Sequence, residues 1–256
     1  MFVDARAIII DQQKCATIPT KTSIEISMDR DAFLERVRNA AHAGNAYRVS
    51  LRDFPEETGY VGVTGEICQE MADEVIAVGG LATLVDSFEQ ARAVLAELIQ
   101  KNGQMKSALC WQHPVLDHLR LEELLAEQDV EMLGFNSLVN LPEEERRKKI
   151  LSADIGISSA DWAIAETGTL VVCSRNGQER VTSLVPPVHV AVIERDQIVP
   201  DLVDAIGHIG SAPSDWLPSN IALITGPSKT GDIELQLTTG VHGPGEWHVI
   251  IIRGSD

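Results

Sequence analysis

The chain has 256 residues, with 21 Lys and Arg against 38 Asp and Glu, a formal net charge of −17. Its 44% apolar and 23% charged residues are globular proportions, which exclude a disordered or fibrous chain and suit one large domain or two small ones. The acidic excess argues against nucleic acid or an anionic membrane as partner; no apolar run nears the ~18 residues of a membrane span, and Asp4 stands where a signal peptide is basic, so a cytoplasmic protein without membrane insertion is expected.

Residues 1–27 carry Thr17, Pro19, Thr20, Thr22 and Ser23 and read as a poorly ordered N-terminal extension. Met28-Asp29-Arg30-Asp31 reads as a natural beginning, with acids that cap a helix over 32–43. The main domain is therefore expected over 28–256. Ile67, Met71, Val75 and Val78 recur at helical spacing and stop at Gly79-Gly80. A short strand over 81–85 follows, and Ser87 then caps a helix striped by Phe88, Ala91, Leu95 and Leu98. Residues 108–111 read as a strand, Pro114 opens a helix through Leu116, Leu119 and Leu124, and 130–133 is a strand again. Strands alternating with helices of this length predict βαβ units and a mainly parallel sheet. The charge run 142–150 leads with acids and trails with bases, as a helix dipole prefers, and reads as a solvated helix or loop. Beyond it, strand-like runs at 169–173, 188–194, 221–225 and 247–253 are separated by Gly- and Thr-rich turns, with one helix over 200–209.

Cys15, Cys68, Cys110 and Cys173 are scattered, with no CxxC pair, and the seven histidines form no HExxH or HxH. Neither a zinc site nor an iron–sulfur cluster has its usual local ligand spacing, so no metal and no cofactor is expected, and the cysteines read as small buried hydrophobes.

Three segments carry candidate chemistry. In Asp161-Trp162-Ala163-Ile164-Ala165-Glu166-Thr167-Gly168 two carboxylates bracket an apolar stretch. Each must be paired, hydrogen-bonded or used if it is desolvated. Glu166 either accepts turn N–H bonds or pairs with Arg180, or else lines a cleft at strand ends, where open α/β sheets bind ligands. Gly226-Pro227-Ser228-Lys229-Thr230-Gly231 is either a plain connecting loop or a cradle for phosphate or carboxylate; its spacing is not that of a P-loop. Thr238-Thr239-Gly240-Val241-His242-Gly243-Pro244 sets His242 on a shaped loop, as a structural histidine or as an acid, base or donor. Arg180, ahead of Pro186-Pro187, can clamp an anion. The candidate anion-binding set is Asp161, Glu166, Thr167, Arg180, Ser228, Lys229, Thr230 and His242, with no catalytic role assigned to any.

Together these segments resemble the LUD domain family, in its lactate-utilisation protein C branch. The resemblance rests on Gly156-Ile157 through Ala165-Glu166-Thr167-Gly168-Thr169-Leu170, on Arg180 through His189, on Ile224 through Glu234, and on Gly240-Val241-His242-Gly243-Pro244. It covers about 28–253, and departs from the family at Ser158-Ser159, where a Thr-Gly pair is expected. The resemblance implies an α/β fold: a Rossmann-like, mainly parallel sheet of the sugar-phosphate isomerase and CoA transferase-like type with a smaller β-rich elaboration. It also implies a three-protein system that oxidises L-lactate to pyruvate, in which companion iron–sulfur proteins carry the cluster-binding cysteines.

The leading expectation is a non-cluster subunit of such a system, acting in substrate handling or assembly, with Glu166, Arg180, Lys229 and His242 around one polar cleft for a small carboxylate or phosphate-bearing ligand. Whether the chain catalyses anything alone is left open. One alternative is a CoA transferase-like enzyme, because Glu166-Thr167-Gly168 matches a Glu-x-Gly pattern in which the carboxylate attacks an acyl-CoA thioester. Another is a small-carboxylate binding or sensor module.

Overall fold

The structure, a computed structural model, describes residues 30–44, 62, 63, 65–101, 103, 105–213, 216, 218–233 and 236–254. The proposed extension 1–27 lies outside them. Contacts divide the chain into Met1–Gly59 and Tyr60–Asp256. In the first unit, α1 (Arg30–Gly44) carries Asp31 in its first turn, where a carboxylate favours the exposed N–H groups.

In the second unit, α2 (Ile67–Ala77) opens on Glu66, whose side chain accepts N–H bonds from Cys68 and Gln69, and buries Cys68, Met71, Ala72 and Val75. It leads to β1 (Leu81–Val85). The helix α3 (Phe88–Lys101) starts at Ser87, whose hydroxyl accepts the Gln90 N–H at 3.3 Å. The strand β2 (Ser107–Cys110) precedes two helices, α4 (Pro114–His118) and α5 (Leu121–Glu127), where one was expected. Arg120 stands between them at φ 49°, and the five-residue step from Leu119 to Leu124 is the break in helical periodicity that marks it. β3 (Glu131–Leu133), α6 (Phe135–Val139), α7 (Glu143–Leu151) and β4 (Ile155–Ser158) complete this half. The charge run is thus a helix.

The remaining strands are β5 (Trp162–Ile164), β6 (Thr169–Ser174), β7 (Val188–Glu194), β8 (Ile198–Val199), β9 (Asn220–Ile224), β10 (Lys229–Ile233), β11 (Gln236–Thr239) and β12 (Glu246–Ile252). Between β8 and β9 lies α8 (Leu202–Ser211), capped by the Asp201 carboxylate on the Asp204 N–H. Six strands form one parallel sheet in the order β1-β12-β7-β4-β2-β3. A parallel strand is covered on both faces and reads as a continuous apolar run, as β7 and β12 do.

One face of this sheet packs Val190, Val192 and Ile250 against Leu95 of α3 and Leu116 and Leu124 of α4 and α5. The other packs Ile193, Trp247 and Ile251 against Met71 and Val75 of α2 and against Ala163 and Leu170 of a second sheet. Each such large side chain contributes about 1.5–3 kcal/mol on burial. The second sheet, β8-β5-β6-β9, is the smaller β-rich layer, and its outer face meets Ala205 of α8. β10 and β11 form a separate antiparallel hairpin.

Among the described residues no helix is long and apolar enough to cross a membrane.

Candidate functional site

Ligands of open α/β sheets bind outside the carboxyl ends of the strands, where neighbouring connections leave in opposite directions. Here β2 sends its chain outward to β3, while its neighbour β4 sends its chain back toward β7. A cavity of about 1190 Å³ opens on the β2–β3 side of this point. Leu109 and Cys110 at the end of β2, Leu133 at the end of β3, and Phe135, Leu138 and Ile150 of α6 and α7 give it an apolar floor. Its polar lining comes from the second sheet and its connections: Ser174 at the end of β6, Arg175 and Asn176 after it, Glu179, Arg180 and Thr182 in the following turn, and Ser219 and Asn220 entering β9. Trp216 and Arg146 also line it.

Local packing shapes that polar lining. The turn 180–183 lies on β4 at Gly156, where a β-carbon would collide with the Thr182 carbonyl oxygen. The segment before it is held to the end of β2: the Trp111 indole N–H donates to the Glu179 carbonyl at 3.0 Å, and the Gln112 N–H donates to the Gly177 carbonyl at 2.8 Å. Gly177 itself has φ 81°, a conformation glycine adopts without strain.

Three guanidinium groups, from Arg146, Arg175 and Arg180, line the one cavity in a chain whose net charge is −17. The Arg175 guanidinium donates to the Asp161 carboxylate at 2.8 Å and lies 4.9 Å from the centre of the Trp216 ring, so an ion pair and a cation–π contact hold it in place. Asp161 also accepts the Cys173 N–H at 2.8 Å. Among the described residues no ion pair engages Arg146 or Arg180. Of the carboxylates among the described residues, Glu179 alone belongs to the lining, and it accepts the Gly177 N–H at 2.9 Å.

Two neutral groups flank this charge. Burial pushes the Cys110 thiol up to about 12, so it stands in the cavity as a thiol and not as a thiolate nucleophile. Burial also pushes the His113 imidazole below its ordinary range, against the opposing pull of Asp161 and Asp117. Its Nδ1 accepts the Val115 N–H at 3.3 Å, at the start of α4. Among the described residues no group of three or more His, Cys, Asp or Glu side chains is arranged to hold a metal ion.

The eight candidate residues fall in three places. Arg180 lines the cavity, and Asp161 stands behind it as the partner of Arg175. Glu166 and Thr167 lie on a 3₁₀ turn after β5 that presses on α2 through Gly168, where a β-carbon would be 2.5 Å from the Val75 nitrogen. The Glu166 N–H donates to the Pro200 carbonyl, and the Thr167 hydroxyl is 2.7 Å from that of Thr169, which is 2.7 Å from that of Thr225. Lys229 starts β10 and donates through Nζ to the Val78 carbonyl at 2.5 Å, capping the end of α2. Ser228 donates its N–H to the Pro244 carbonyl and accepts the Gly240 N–H, and Thr230 pairs with Thr238 in the hairpin.

The glycine-punctuated segments thus meet one another through Thr169 and Thr225 and through Ser228 and Pro244. Exposed His242 sits in the second of these turns. The cavity, however, is lined by Arg180 and by none of Glu166, Lys229 or His242. The carboxylate–arginine pair is Asp161 with Arg175.

Comparison with known proteins places this architecture. A lactate utilization protein C of Halalkalibacterium halodurans is 35% identical over 186 residues, 72% of this chain and 75% of that protein. Another, from a Geobacillus species, is 28% identical over 235 residues, 88% of this chain and 95% of its own. The crystal structure of a DUF162 family protein from Deinococcus radiodurans shares the fold, with a TM-score of 0.51 at 22% identity over 73% of this chain and 96% of that one. The family model for the LUD domain matches residues 68–252, which spans both sheets and every residue of the cavity, and the chain belongs to that family.

Proposed function

We propose that this protein serves in a lactate-utilisation system in the cytoplasm, as a member that carries no cluster-binding cysteines, and that its cavity binds an anionic ligand, either a carboxylate or a phosphate-bearing molecule. The first part is supported by relatives named lactate utilization protein C that align with most of this chain. The second is carried by one observation: Arg146, Arg175 and Arg180 line a single cavity at the carboxyl ends of β2 and β3. A local positive site in an acidic chain concentrates anions there. Guanidinium groups recognise carboxylate and phosphate by paired, planar hydrogen bonds. Glu166 lies outside the lining, so the cavity lends no support to its use as an acyl-accepting nucleophile.

The test is growth on L-lactate after deletion of the gene, with complementation by wild type and by Arg180→Gln, together with pull-down of the companion iron–sulfur proteins. Loss of growth, rescue by wild type and weak rescue by Arg180→Gln are expected. Unchanged growth without association would remove the lactate role. Full rescue by Arg180→Gln would remove the role of the cavity.

A further inference from the structure

We infer that the cavity takes a nucleoside phosphate, with the phosphates against Arg180 and Arg146 and the planar base on the apolar floor. This rests on the reading of the cavity as an anion site and narrows its ligand. Size is the first argument. At about 1190 Å³ the hollow exceeds the roughly 300–1,000 Å³ that encloses a drug-sized molecule. A three-carbon acid such as lactate or pyruvate would leave most of it to water.

The division of the lining is the second. Leu138 and Ile150 pack against Leu109 and Leu133 in one apolar cluster, and Phe135 lines the cavity with them. A small hydrophilic acid gains nothing from such a floor, whereas a flat heterocycle buries against it. Three arginines share the lining with these apolar side chains, and two of them, Arg146 and Arg180, make no ion pair among the described residues. A single carboxylate is satisfied by one guanidinium, and several guanidiniums around one space suit a group with several charged oxygens. The Asn176 and Asn220 amides in the same lining offer both donors and acceptors, which suits sugar hydroxyls. The lining takes in the carboxyl ends of β2 and β3, and the carboxyl ends of the strands are where open α/β sheets bind their ligands.

The experiment is calorimetric titration of the full chain at fixed ionic strength with ADP, GDP and UDP, and separately with pyrophosphate, adenosine, L-lactate and pyruvate. At least one nucleotide is expected to bind about tenfold or more tightly than pyrophosphate or its own nucleoside. Arg180→Gln and Arg146→Gln should each weaken it about tenfold, the loss of a charged hydrogen bond. Phe135→Leu should weaken the nucleotide and leave pyrophosphate unchanged, with melting temperatures reporting that each variant is folded. Pyrophosphate binding as tightly as every nucleotide would overturn the inference, as would a Phe135→Leu variant that binds nucleotide like wild type. Lactate or pyruvate binding that is lost in Arg180→Gln, with no nucleotide bound, would also overturn it while leaving the anion site intact. Absence of binding by every probe would overturn the anion site itself.

Discussion

The Thr182 carbonyl oxygen occupies the space in which a β-carbon would stand on Gly156, so the strand β4 and the turn that carries Arg180 touch backbone to backbone. No rotamer relieves that contact, because the obstructing atom belongs to the main chain. Gly156→Ala is therefore expected to destabilise the protein by about 1–3 kcal/mol, the usual penalty of overpacking, and to shift the turn away from β4. Urea denaturation gives the first quantity. Weaker binding of an anion that depends on Arg180, out of proportion to the lost stability, would show that the turn has moved. A Gly156→Ala protein as stable as wild type would mean that the turn does not rest on β4.

Arg175 depends on its partner in a comparable way. Asp161 is the side chain that both pairs the guanidinium and accepts the Cys173 N–H. Asp161→Ala removes both acceptors from a largely buried position and is expected to cost about 1–3 kcal/mol. The pair is partly exposed on the Arg175 side, which keeps the figure below that of a fully buried ion pair. Asp161→Asn retains a carbonyl oxygen for the Cys173 N–H and should cost less. Denaturation curves of the two variants separate the ion pair from the backbone contact, and equal losses would assign the whole effect to the charge.

The fold was readable where period and punctuation agree. The 67, 71, 75 and 78 stripe ends at Gly79 and Gly80, and the helix ends with it. The short strands β5 and β8 carry no comparable signal, because three or two residues are too few for alternation to show. The site was legible at Arg180, which lies in a motif, and not at Arg146 or Arg175. Arg146 is one of many charges on α7, and composition does not say which of them turns inward. Asp161 and Arg175 are fourteen residues apart and meet because β5 pairs antiparallel with β6, so that contact becomes visible only once the register is known. Lys229 looked available for a phosphate because sequence does not show that the end of α2 lies beside it.

Lys229 is accordingly expected to matter for stability alone. Its ammonium group donates to the Val78 carbonyl at the end of α2, where a cation offsets the partial negative charge of a helix end by about 0.3–1 kcal/mol. Lys229→Met should lower the urea midpoint by that modest amount, less so at high salt, and leave anion binding unchanged. A variant that kept its stability and lost affinity for a phosphate probe would return Lys229 to the binding machinery.

His189 sets an acid limit on the fold. It is buried on β7, and its Nε2 lies 2.8 Å from the Ser158 hydroxyl on β4. Burial pushes its imidazole down to about 3, with His248 adding a push in the same direction. Below the unfolded value of about 6.5 the unfolded chain takes up a proton that the folded protein refuses. The stabilising contribution is then complete above that value and is lost as pH falls toward 3, by up to about 1.4 kcal/mol per pH unit. Between about pH 6.5 and 5 most carboxylates remain ionised in both states, so the slope there isolates histidine. His189→Gln is expected to be less stable at neutral pH, since the Ser158 contact changes, yet to lose stability less steeply across that interval. Urea midpoints of wild type and variant at three pH values provide the two slopes. Parallel lines would show that His189 takes up its proton without unfolding the protein.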